Sequence, residues 1–244
     1  RYFDNYLAAI ETVGDTSTAS HLFDGHNVSI KLSALHPRFW ESHRETCLPA
    51  LKEKVLALAM KARRLNIGMS LDAEECARLE LTMDVFEWLC EQSGLEDWQG
   101  LGFVLQAYQK RALEVAEWLI ALAQSRPTGI MVRLVKGAYW DAEIKIAQQR
   151  GLTDYPVFTR KSHTDLSYEA CIRTLLACPD IYCQFATHNA LTIAQIREAA
   201  GECGRPRPFE FQKLHGMGDL LYALLEEQDP SLRVRTYAPV GQHE

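Results

Sequence analysis

About seven short apolar runs in this chain end abruptly in side chains that can do chemistry. They lead into Lys31 and Ser33, then Asp72, Glu74 and Glu75, then Gln106 and Tyr108, then Arg133, Lys136 and Tyr139. Thr187-His188-Asn189, Gln212-Lys213-Leu214-His215 and Tyr237 follow in the same way. Lysine and arginine can anchor a carboxylate or stabilise developing negative charge, while aspartate and tyrosine can orient them. A polar group at the end of an apolar run is costly unless it pairs or meets a ligand. For any single residue, an internal ion pair among Lys31, Asp72 and Arg133 explains the pattern as well as catalysis does. Its recurrence at successive runs favours one shared polar mouth.

Arg133 lies two residues before Val135 in a β-branched run, so both side chains point to the same face of a strand. There the guanidinium can donate to a bound ring as that ring accepts a hydride, or pair with Asp72 or Glu74. Thr159-Arg160-Lys161-Ser162-His163 stands just before a predicted helix. Its cations and amides can hold a pyrophosphate, although such a cluster is more often a solvated turn. His188 has no second His or carboxylate at ligand spacing in its segment, so no metal is expected. Neither GxSxG nor HExxH occurs, which removes the usual hydrolase elements.

The elements that must position these groups follow from periodicity. Helical spacing appears over 1–13, 48–65, 79–90, 112–123, 142–149, 166–176, 191–200 and 218–226. Strand-like runs appear over 28–32, 67–72, 101–106, 130–135, 181–187, 209–214 and 233–237. No tight hairpin joins consecutive strands, and no glycine-rich phosphate loop follows the first one, so a barrel is favoured over a doubly wound sheet. In such barrels function gathers at the carboxyl ends of the strands, where the polar groups above fall.

The net charge of -6 argues against a duplex nucleic-acid binder. The seven cysteines contain no CxxC pair and read as reduced structural thiols of a cytoplasmic-type compartment. No apolar run is long enough to span a membrane; peripheral contact stays open.

The blocks themselves are ordered and long: VSIKLSALHPRF at 28–39, LDAEE at 71–75, GFVLQAYQKR at 102–111 and VRLVKGAYWDAEIK at 132–145. YPVFTRKSHTDLSY at 155–168, QFATHNA at 184–190, FEFQKLHGMGD at 209–219 and YAPVGQHE at 237–244 continue the series. Together they resemble the proline dehydrogenase family, in the version carried by bifunctional proline utilisation A enzymes. The resemblance implies a distorted (β/α)8 TIM-type barrel that binds FAD, oxidises L-proline to Δ1-pyrroline-5-carboxylate and passes electrons to a membrane quinone. It also implies a fused pyrroline-5-carboxylate (aldehyde) dehydrogenase module and a cytoplasmic setting at the membrane's inner face.

By the same resemblance, Arg133, Val135, Gly137, Tyr139 and Trp140 would surround the flavin, with Gln106 and Gln212 beside its ring. Thr159, Arg160, Lys161, Thr187, His188 and Asn189 would hold its ribityl and ADP portions. Lys31 would bind the proline carboxylate, Asp72 and Tyr139 would shape the polar side of the pocket, and Leu214 and Tyr237 would pack on the pyrrolidine ring. Family members also carry an earlier strand with an acidic block and a final helix with two adjacent arginines. Residues 1–244 lack both patterns, so the barrel is expected to be incomplete at each end of this stretch. Two other readings compete: a non-catalytic scaffold beside an aldehyde dehydrogenase module, and a barrel lyase holding a divalent ion among Asp72, Glu74 and His188.

Overall fold

Runs of β-branched and aromatic residues separated by whole helices cannot pair as hairpins; each must cross over and pair in parallel. The computed structural model, which describes residues 1–203 and 208–240, has that form. In chain order the elements begin α1 (Tyr2–Thr16), β1 (Asn27–Ile30), α2 (Leu32–Leu35), α3 (Arg44–Arg64), β2 (Gly68–Leu71) and α4 (Leu79–Cys90). Next come β3 (Leu101–Gln106), α5 (Ala112–Gln124), β4 (Ile130–Val135), α6 (Trp140–Gln149), α7 (Lys161–Ala177) and β5 (Ile181–Ala186). The series closes with α8 (Ala190–Glu202), β6 (Glu210–Leu214), α9 (Asp219–Gln228) and β7 (Arg233–Tyr237). The strands form one all-parallel sheet in the order β1-β2-β3-β4-β5-β6-β7.

The sheet curls. Flat, at about 4.8 Å between strands, β7 would lie roughly 29 Å from β1. Yet Arg235 of β7 donates to the carbonyls of Phe23 (3.0 Å) and Gly25 (2.6 Å), just before β1. Arg233 meets Asp24 at 2.8 Å. Arg133 of β4 likewise reaches Ser29 of β1, and its guanidinium lies 5.1 Å from the Tyr237 ring centre on β7.

Strand alternation sorts the two faces. Ile30, Leu71, Phe103, Val132, Phe185 and Phe211 point outward into the main apolar core beneath the helices. Phe86, Phe103 and Trp118 interlock there with ring centres 5.2 to 6.5 Å apart, geometry worth about 0.5–1.5 kcal/mol per pair beyond burial. The inner face is polar: Asn27, Ser29, Arg133, Gln184, Glu210 and Arg235 bond across the strands. A one-residue slip of any strand would exchange these sets, so burial pins the register.

The expected strands over 101–106, 130–135 and 233–237 match β3, β4 and β7, and the helix over 79–90 matches α4. Elsewhere the ends move. The first strand stops at Ile30 because Lys31 leaves the ladder and Leu32–Leu35 turn into the short α2. α3 starts at Arg44 rather than 48 and carries Pro49 as its sixth residue, where the ring leaves the Glu45 carbonyl without its helical donor. α6 begins at Trp140 and α7 at Lys161, each earlier than expected, because polar first turns hide the apolar period. Residues 241–244 of the YAPVGQHE block lie outside the described residues.

Candidate active site

At the carboxyl ends of the strands, five of the expected residues form one connected group. Lys31 Nζ lies 3.0 Å from an Asp72 carboxylate oxygen and donates to the Tyr139 hydroxyl at 3.1 Å. The other Asp72 oxygen is 3.8 Å from Arg133, whose guanidinium faces Tyr237. Asp72 is held by its own amide, which donates to the Ile30 carbonyl at 2.8 Å and extends the β1–β2 ladder by one bond. Burial pushes the Lys31 ammonium pKa down, but the Asp72 carboxylate and the Tyr139 hydroxyl outweigh it, and the net shift is upward. Lys31 therefore stays charged across the neutral range.

Arg133 is 8% exposed and faces the interior, as its spacing from Val135 predicts. One of its terminal nitrogens donates to Ser29 Oγ at 2.8 Å. Its Nε is buried with no partner among the described residues. A buried guanidinium with an unmatched donor costs stability unless something else accepts from it.

Two glutamines flank this group. Gln106 ends β3 and donates to the Glu74 carbonyl at 2.9 Å. Gln212 on β6 donates to Glu210 at 2.7 Å. Leu214 pairs in register with Tyr237 and is 43% exposed, an apolar surface left open beside the cations.

The loops after β3 and β4 are tied together: Ala107 and Tyr108 donate to the Val135 and Lys136 carbonyls at 2.9 and 2.7 Å. Gly137 then adopts φ +136° with its α-carbon against the Tyr108 ring, where an added Cβ would come within 2.4 Å of it. Only glycine fits that combination. Trp140, exposed, donates its indole N–H to the Phe158 carbonyl at 2.9 Å, which draws the start of α7 toward β4.

The basic segment differs from expectation. Lys161, Ser162 and His163 do not precede the helix; they form its first turn, with Arg160 at the N-cap and no side chain capping the free amides. Thr159, Arg160 and Lys161 are exposed. Lys161 and Lys136 share the Asp165 carboxylate, each at 2.5 Å. Burial works to raise the Asp165 pKa, but the two ammonium groups outweigh it and hold it below the usual range.

Thr187, His188 and Asn189 follow β5, and their visible bonds are structural. His188 Nε2 accepts from the Leu214 amide at 2.9 Å, so its other ring nitrogen carries the proton in the neutral form. Asn189 caps α8 by accepting from Thr192 N at 3.0 Å. The Thr187 carbonyl accepts from Tyr222, and its Oγ1 from the Asn189 amide. Among the described residues no hydrogen bond joins this trio to Thr159, Arg160 or Lys161. The divalent-ion reading fares poorly, since Asp72 pairs with Lys31, Glu74 with Arg78 and the Ser33 amide, and His188 with Leu214.

Several residues that bond to this group or its neighbours belong to no motif. Tyr6 of α1 accepts from the Lys31 amide at 3.1 Å and so sets where that lysine leaves its strand. Ser29 receives Arg133, and Glu210, only 1% exposed, gathers Gln184, Gln212 and Arg235. Glu210 could have been noticed: the Phe209-Glu210-Phe211 alternation puts a lone carboxylate on the face opposite two aromatic rings.

Comparison with known proteins gives the family. The proline dehydrogenase family model matches residues 1–244. The chain is 48% identical over 248 residues to the bifunctional protein PutA of Escherichia coli and 49% identical to that of Rhizobium meliloti, matched over 100% of its own length. It spans only 19% and 20% of those proteins' lengths. A crystal structure of bifunctional proline utilization A superposes with a TM-score of 0.95 at 50% identity, covering 99% of this chain and 24% of that one. A second, from Bdellovibrio bacteriovorus and inactivated by N-propargylglycine, gives 0.91 at 31% identity over 99% of this chain and 26% of that one. Matched from end to end by the family model and over its whole length by these relatives, the chain belongs to the proline dehydrogenase family.

Proposed function

We propose that this chain is the catalytic domain that oxidises L-proline to Δ1-pyrroline-5-carboxylate, and that it does so with FAD. The observation that carries the reading is Arg133: a buried guanidinium on the inner face, with an unmatched Nε, beside a charged lysine and an exposed apolar leucine. That unmatched donor, between Gln106 on one side and Gln212 on the other, fits the rim of a polar aromatic ring. Arg133, Val135, Gly137, Tyr139, Trp140, Gln106 and Gln212 would hold the flavin. The α7 N-terminus with Thr159, Arg160 and Lys161, together with Thr187, His188 and Asn189, would hold the remainder of the dinucleotide. The bound FAD supplies the acceptor for the hydride from proline C5.

The chain's own residues do the rest. Lys31 holds the substrate carboxylate by charge, and Asp72 and Tyr139 keep its ammonium aimed at the mouth. Leu214 and Tyr237 cover the ring of the substrate and keep water from it. Arg133 stabilises negative charge that accumulates on the acceptor side. The seven described strands are proposed to belong to a distorted (β/α)8 barrel. Electrons would pass to a membrane quinone from a domain working in the cytoplasm in peripheral contact with the membrane. Relatives described as bifunctional and about five times longer support a fused pyrroline-5-carboxylate (aldehyde) dehydrogenase module.

A reductive titration tests the reading. The purified protein is expected to be yellow, and its flavin absorbance to bleach on anaerobic addition of L-proline. A colourless protein that is indifferent to FAD would instead support a non-catalytic scaffold.

A further inference from the structure

An amide side chain cannot choose its own polarity; its neighbours do. Glu210 lies on the inner face of β6, 1% exposed, and its carboxylate accepts five hydrogen bonds. Oε1 accepts from Gln184 Nε2 (3.0 Å), Gln212 Nε2 (2.7 Å) and Arg235 Nε (2.8 Å). Oε2 accepts from Arg235 (2.9 Å) and the Tyr182 hydroxyl (3.2 Å).

An ionised carboxylate only accepts. Turning the Gln212 amide over would set two oxygens face to face at the 2.7 Å now occupied by a hydrogen bond. Gln184 shows how firmly the carboxylate rules: its Nε2 serves Glu210 while its own carbonyl oxygen is buried with no partner among the described residues. On the other side, Gln106 is fixed in the same sense by the Glu74 carbonyl.

We infer that Glu210 is a positioning residue for the cofactor site: it locks the Gln212 amide so that its carbonyl oxygen, an acceptor, faces the flavin. This rests on the FAD reading above. The rival role is mechanical, since Arg235 joins Glu210 to the carbonyls of Phe23 and Gly25 and so ties β6 and β7 to the segment before β1.

A double-mutant cycle in the full-length protein separates the two roles. FAD dissociation constants and flavin midpoint potentials are measured for Glu210→Gln, Gln212→Leu and the pair. Each single change is expected to weaken FAD binding about tenfold, the scale of one lost hydrogen bond, and to move the midpoint potential in the same direction. In the Gln212→Leu background, Glu210→Gln should add less than about threefold. A full tenfold loss in both backgrounds would overturn the inference in favour of the mechanical role.

Should Glu210→Gln not fold, Glu210→Asp serves in its place. It keeps the charge beside Arg235 and draws the oxygen back from Gln212 by one methylene, and the same non-additivity is expected. Nuclear magnetic resonance of the Gln212 side-chain NH2 gives a cofactor-free readout. Donation to Glu210 should shift one proton downfield, and Glu210→Gln should abolish the shift; an unshifted signal in the parent protein overturns the inference. Failure of the parent protein to bind FAD would sink the flavin reading itself, an outcome this signal distinguishes.

Discussion

Two arginines of nearly equal burial stand at opposite ends of the strands, and they are used differently. Arg126, 7% exposed, donates to the carbonyls of Cys90, Leu95, Trp98 and Gly129 at the amino ends. It ties together the loops that lead into β3 and β4, beside a cleft of about 400 Å³. Arg133, 8% exposed, makes one bond to Ser29, stands 3.8 Å from Asp72, and keeps an unmatched Nε. Equal burial with unequal satisfaction distinguishes an arginine that holds the fold from one poised for a ligand.

The sharpest way to break this comparison is to remove each guanidinium in turn. Arg133→Met is expected to slow flavin reduction by proline roughly 10²- to 10³-fold, as for a lost donor to developing charge, with an unfolding midpoint near that of the parent. Stopped-flow reduction and denaturant unfolding measure the two quantities, and unchanged reduction would count against the assigned role. Arg126→Met should do the reverse. Four carbonyls lose their donor, so about 3 kcal/mol of stability should disappear while the folded fraction reduces its flavin at the normal rate. A protein that loses turnover without losing stability would show that the contrast is wrong.

A smaller effect sharpens the same contrast at Lys31. Lys31→Met should raise the KM for L-proline about ten- to hundredfold, the value of a charge-assisted bond. The sign of its pH dependence follows from the upward shift: the ion pair with Asp72 stabilises the folded state fully below the ordinary lysine pKa and is lost only as pH rises through the still higher folded value. Between about pH 6 and 9 Lys31 therefore contributes no limb to the kcat/KM profile, and the profile of Lys31→Met should keep the parent's shape. An alkaline limb that vanishes in the variant would contradict this.

Much of the fold was readable in the chain because alternation between short apolar runs and helical periods survives everywhere in it. β3 and β4 could be bounded residue by residue, since each run gives way to a polar side chain at or just past its carboxyl end, whereas β7, Arg-Val-Arg-Thr-Tyr, shows itself by β-branched and aromatic residues alternating with arginines. The boundaries that moved have physical causes. At Arg44 and at Lys161 polar first turns of helices carry no hydrophobic period, and at Leu32 the apolar run continues into a helix of one turn, too short to show a period of its own.

The candidate site was legible in the same uneven way. Lys31, Asp72, Arg133 and Tyr139 announce themselves as charge and hydroxyl at strand ends, and the fold brings them into one group. Tyr6 and Ser29 do not, because one phenol on a helix and one serine in a strand are ordinary in any sequence. Their importance comes from curling of the sheet, which places α1 over Lys31 and β1 opposite Arg133.

The seam between β7 and the approach to β1 has a consequence for how the molecule assembles. The bond from Arg235 to the Gly25 carbonyl joins positions 210 residues apart. Every strand between them must be ordered before the two meet, so closure belongs to the slow end of folding, where distant contacts accumulate. Among the described residues β1 and β7 do not pair with each other, so their outer backbone edges can each take a further strand. A few arginine contacts thus bring the two edges near each other while leaving the seam between them open to another strand.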